Sequence, residues 1–82
     1  MMSARMNNQT DEVKASFVLC ISNEGYPASL EKWKIYRVLP DAGATRRGYI
    51  RVIDESGEDY LYPAKYFVTI RVPLAAQKAL MA

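Results

Sequence analysis

The stretch GYIRVIDESGEDYLYPAKYFVTI, residues 48–70, decides the fold. Tyr49 to Ile53 alternates in the manner of a strand, with Ile50 and Val52 directed inward. Asp54-Glu55-Ser56-Gly57-Glu58 is a hairpin turn, because Gly57 admits a positive φ there. Residues 59–62 form the returning strand. Pro63-Ala64-Lys65-Tyr66 interrupts it, since proline cannot donate to a ladder. Residues 67–72 form another strand, with Val68, Ile70 and Val72 on one face and Thr69 and Arg71 on the other.

Upstream, residues 34–39 are a strand, followed by a loop at 40–44 punctuated by Pro40, Asp41 and Gly43. Residues 16–22 are the first strand. Apolar side chains on both of its faces imply that both are covered. Between these strands, residues 23–33 make a long connection, within which residues 29–33 form either one helical turn or plain loop. Residues 1–14, MMSARMNNQTDEVK, are polar and aperiodic and read as a flexible, disordered tail. Downstream, Pro73 and LAAQKALMA suit a short helix over residues 73–82, docked if Leu74, Leu80 or Met81 finds an apolar surface. Five short strands without a long amphipathic helix predict an all-β chain. A small barrel over residues 15–72 would also remove exposed strand edges. The expected core is Phe17, Leu19, Ile21, Val38, Ile50, Val52, Leu61, Val68 and Ile70.

At 82 residues the chain has room for one domain. Half its residues are apolar and 24% are charged, with a net charge of +2. There is no histidine and only one cysteine. Ser-His-Asp and Cys-His catalysis, a structural zinc site and an internal disulfide all fall away on those counts. The expectation is therefore a non-catalytic protein without cofactor or metal. Cys20, within an apolar run, reads as packing. No apolar run has the length of a signal peptide or a membrane helix, so the expected location is cytoplasmic, with no membrane partner.

Residues 48–70 resemble the second half of a Src-homology-3 domain. In that family a strand opening with aromatics leads to a glycine hairpin, a strand ending at a Pro-x-x-Tyr turn, and a short last strand. Gly48-Tyr49, Gly57, Pro63 with Tyr66, and Val68 with Ile70 carry the likeness. It implies a five-stranded Src-homology-3-like barrel and, through Tyr49, Pro63 and Tyr66, part of a peptide-binding groove. Two features depart from the family. The first strand, FVLCIS, lacks the tyrosine pair that completes such a groove, and Tyr49 stands where a tryptophan is usual. The blocks ASLE and KIYRVLPD, then IRVIDESGEDYLYP, are also similar to short bacterial proteins, which implies a source and no activity.

Two surfaces are candidates for function. The first is aromatic. Six tyrosines and one tryptophan are many for this length. Tyr49, Pro63 and Tyr66 would contact a protein or peptide partner through rigid amphipathic rings. The competing reading is that these tyrosines are simply good strand residues. Trp33 either plugs the long loop onto the barrel or joins the contact surface. The second candidate is basic. Lys32, Lys34, Arg37, Arg46, Arg47 and Arg51 face only Asp41 across residues 32–51. Lys34, Arg46, Arg47 and Arg51 are the residues of an alternative, nucleic-acid-binding function, should they converge. Asp54, Glu55, Glu58 and Asp59 lack calcium-loop spacing and read as a solubilising turn.

Overall fold

Which strands pair decides which of two apolar faces becomes core. The computed structural model describes residues 16–81. In it, β1 (Ser16–Cys20) lies between β2 (Ile35–Leu39) and β5 (Phe67–Ile70), antiparallel to both. Next to β2 comes β3 (Tyr49–Ile53), and next to β3 comes β4 (Asp59–Pro63). The result is one five-stranded antiparallel sheet in the order β4-β3-β2-β1-β5. A 3₁₀ turn, Ala64–Tyr66, joins the two edge strands. No ladder pairs β4 with β5 among the described residues, so the sheet is open there. The expected tail, residues 1–14, lies outside the described residues.

The register pairs Val18 with Tyr36 and Thr69, Cys20 with Phe67, and Ile50 with Tyr62. The core on that face comprises Val18, Cys20, Leu30, Tyr36, Val52, Tyr62 and Phe67. Of the expected core, Phe17 and Val52 are buried, while Ile21, Leu61 and Val68 are exposed. Leu19 and Ile70 are half-buried. Val38 and Ile50 are half-buried because they border an open apolar cleft of about 270 Å³ with Val18, Ala64 and Phe67.

These corrections have physical causes. Both faces of β1 are apolar, so alternation alone could not choose between them. In β4 the choice falls on Tyr62, only 1% exposed, over Leu61, because its hydroxyl reaches Asp54 at the core margin, 2.5 Å away. Phe67, treated as a strand end, is the inward residue that displaces Val68.

The chain between β1 and β2 is an ordered loop. Its plug is Leu30, 1% exposed, and not Trp33, which is 67% exposed. Leu30 O accepts from Asn23 Nδ2 at 3.0 Å, and Glu55 N–H donates to Ser29 O at 3.1 Å. The Tyr36 hydroxyl accepts from Glu31 N–H at 2.8 Å. The loop is thus tied to the β3–β4 hairpin and to β2.

Two helices complete the fold. Residues 40–44 are not all loop: α1 (Ala42–Arg46) begins there. Asp41 caps it, its Oδ1 accepting from Ala44 N–H at 3.0 Å, and Ala44 is buried. The cap and that contact outweigh the poor helical propensities of Gly43 and Thr45. After Pro73 comes α2 (Leu74–Met81). Its buried residue is Gln77, whose amide donates to Val72 O at 2.8 Å. Leu74, Leu80 and Met81 remain largely exposed. Phe17, on the opposite face from the main core, lines clefts with Gln77 on one side and with Leu80 and Met81 on the other. The second covered face of β1 is therefore the one beneath α2. No helix among the described residues is long and apolar enough to cross a membrane.

Candidate functional site

Gly48, at φ 84°, turns the chain into β3. Tyr49, the first residue of β3, lies opposite Pro63, the last of β4. The next residue, Ala64, donates its N–H to Gly48 O at 2.9 Å, which straps the 3₁₀ turn to the start of β3. The turn ends at Tyr66. Its carbonyl accepts from Ile21 N–H at 2.8 Å, and its hydroxyl donates to Glu24 O at 2.8 Å. One corner of the molecule thus gathers Tyr49, Pro63 and Tyr66, three of the four residues expected to contact a partner.

A fourth residue, outside the expected site, packs against Tyr66. The Tyr26 ring stands edge-on to Tyr66, centroids 6.2 Å apart, and to Tyr62, 4.9 Å apart. Tyr60 lies 5.9 Å from Tyr62, its ring tilted by 48°. Edge-to-face pairs of this kind hold rings in fixed orientations. The signal for Tyr26 was Gly25-Tyr26-Pro27, an aromatic between two turn residues in an otherwise polar loop. It brings a ring to the corner from the loop that follows a tyrosine-free β1.

Trp33 takes no part in these ring contacts. Its backbone is left-handed, at φ 71°, with its N–H donating to Cys20 O at 2.7 Å. The Lys32 ammonium lies 5.7 Å from its ring centroid. A bulky residue seldom adopts that backbone, and here the conformation directs the chain into β2.

Of the residues of the alternative basic site, two are already paired with carboxylates. Lys34 Nζ pairs with Glu55 at 2.7 Å. Arg51 is shared, with Nη2 2.9 Å from Asp41 and Nη1 2.9 Å from Asp59. Arg46 and Arg47, exposed at the end of α1, form no ion pair among the described residues. Summing charge over residues 32–51 therefore overstated the field, because Glu55 and Asp59 lie outside that window and neutralise part of it.

The acidic turn, expected to be solubilising, has a structural part. Asp54 Oδ1 accepts from Ser56 N–H at 2.9 Å and from Ser56 Oγ at 2.6 Å, while Oδ2 takes the Tyr62 hydroxyl. Glu55 accepts from Lys34 and from the Tyr36 hydroxyl. The titration shifts follow. Burial pulls the Asp54 carboxyl up, but its bonds from Ser56 and Tyr62 outweigh that and leave it below the usual range. Lys34 and Tyr36 hold Glu55 low. The Ala44 N–H, then Arg51, hold Asp41 low. Burial, then the Asp54 carboxylate, pushes Tyr62 up to about 12. Tyr36 rises further, by burial and then by Glu55. Neither phenol can serve as a base near neutrality. Burial raises the Cys20 thiol above its ordinary value, as expected of a packing residue.

No protein-family model matches this chain, and comparison with curated proteins and with solved structures finds no significant match.

Proposed function

We propose that this chain is a small non-catalytic binding module, a Src-homology-3-like barrel that engages a protein or peptide partner through Tyr49, Pro63 and Tyr66. The observation that carries the reading is the strapped corner, in which Pro63 lies opposite Tyr49 and Tyr66 follows one 3₁₀ turn later. Support for the barrel comes from the order of parts after β3: a hairpin at Gly57, a strand ending on Pro63, the 3₁₀ turn and a short last strand. Tyr26 extends the aromatic surface beyond the residues named by the resemblance. Trp33 is accessible to a partner but makes no ring contact with the tyrosines of the corner, and we leave it outside the contact set. Preformed rings with few rotatable bonds lose little entropy on binding, which suits a partner surface. The nucleic-acid alternative draws less support, since Lys34 and Arg51 already hold carboxylates.

A phage-displayed peptide selection, run in parallel on the wild type and on Tyr49→Ala, tests the proposal. Tyr49 is 43% exposed, so its loss should cost about 1–2 kcal/mol, and a thermal melt of the variant run alongside checks that it remains folded. The expected result is enriched peptides that bind the wild type and lose at least about tenfold in affinity to the variant. Peptides that bind both forms equally would refute the assignment.

A further inference from the structure

The tyrosine corner continues into a cleft of about 350 Å³ between α1 and the sheet. Tyr49 and Leu61, 43% and 40% exposed, supply its apolar lining, and Arg47 and Arg51 supply its cations. Asp41 also lines it. The charges are not equivalent. Asp41 takes Arg51 Nε at 3.0 Å and Nη2 at 2.9 Å, while the same guanidinium reaches Asp59. Those three groups form a closed triad with one carboxylate charge in excess. Arg47 has no ion pair among the described residues, and neither have Arg46 beside it or Lys65, exposed on the 3₁₀ turn after Pro63. Among the described residues, the Tyr49–Pro63 end of the corner is thus basic on balance. An exposed apolar surface beside Arg47, which has no ion pair among the described residues, suits an occupant with an apolar side chain and a nearby carboxylate.

We propose that the partner of this corner is an acidic peptide segment, which places an apolar side chain on Tyr49 and Leu61 and a carboxylate on Arg47. The proposal rests on the peptide-binding reading above and adds the charge of the partner. A phosphate backbone would meet the same cations but also the Asp41 carboxylate that lines the cleft. A peptide need present only one carboxylate, at Arg47.

The test uses three short capped peptides with one proline–leucine core, flanked by glutamates, glutamines or lysines, and a short oligothymidylate. Each is titrated into the full-length ¹⁵N-labelled chain at low salt. The glutamate-flanked peptide should bind roughly fivefold tighter than the glutamine-flanked one, with shifts at Arg47, Gly48 and Tyr49, and the gap should close as salt is added. Arg47→Gln should erase that preference and leave affinity for the glutamine-flanked peptide within about twofold. Equal binding of all three peptides, or a preference for the lysine-flanked one, overturns the charge assignment and leaves peptide binding standing. Binding by none of them overturns both. Tighter binding of the oligothymidylate than of the glutamate-flanked peptide, mapped to the same amides, gives the cleft to nucleic acid and overturns the proposal.

Discussion

A buried tyrosine must place its hydroxyl proton on an acceptor, and at Tyr62 and Tyr36 that need ties the core to the acidic hairpin. Tyr62, buried in the core cluster from edge strand β4, ends on Asp54, while Tyr36 ends on Glu55 and itself accepts from Glu31 N–H. Phe at position 62 keeps the ring and removes the bond. Tyr62→Phe should therefore cost about 1–2 kcal/mol, toward the low side of a charge-assisted bond because Asp54 keeps Ser56 and partial access to water. Thermal melts read the loss. Asp54 should titrate closer to its ordinary value in the variant, by carbon-detected NMR. An unchanged melt together with an unchanged Asp54 would remove this bond from the account. Sequence alone could not select Tyr62 over Leu61, since period-two alternation offers both and hydropathy favours leucine. What decides is the position of one carboxylate eight residues upstream.

At the scale of elements, the strands were legible and the connections less so. β3 alternates without ambiguity and is bounded by glycine and a turn, so both of its ends were read correctly. Pro63 marked the end of β4. The faces of β1 were not legible, because FVLCIS is apolar on both sides and only the neighbours Tyr36 and Phe67 say which faces the core. α1 is short and contains Gly43 and Thr45, so its cap, Asp41, is the only signal in the sequence, and Asp serves equally in turns. The loop plug is a single apolar residue, which leaves no periodicity to read. Leu30 nonetheless sits in the core cluster while the backbone around it bonds to the β3–β4 hairpin. Leu30→Ala should cost about 2–5 kcal/mol, as for other buried leucines. The loss should reach the corner as well, because Tyr26 belongs to the same loop. Denaturant unfolding gives the first quantity, and amide hydrogen exchange across residues 23–33 the second. A variant with wild-type stability would show that the loop is an appendage.

For the whole molecule, stability is bounded on both sides of neutral pH by the groups just described. Asp41, Asp54 and Glu55 are held below their ordinary values when folded, so the unfolded chain binds protons first as pH falls. Their contribution is complete above the ordinary carboxylate range, near pH 4, and declines as pH drops through the folded values. Tyr62 has the opposite sign. Its folded value is raised from 10 to about 12, so stability holds below pH 10 and declines from there toward 12, with Tyr36 acting in the same direction. Melting temperature plotted against pH should form a plateau between those limits, and in Tyr62→Phe the alkaline decline should be shallower. A melting temperature still rising at pH 11 would contradict the assignment. The central proposal is that the sheet, the strapped turn and the locked loop present Tyr26, Tyr49, Pro63 and Tyr66 to a peptide. Amide chemical-shift mapping of the full chain with a peptide from the selection tests it most directly. The account expects shifts at Tyr26, Gly48, Tyr49, Ala64, Lys65 and Tyr66, with the core amides unmoved. Shifts gathered instead around Phe17 and α2 would contradict it and move the binding surface to the other face of the sheet.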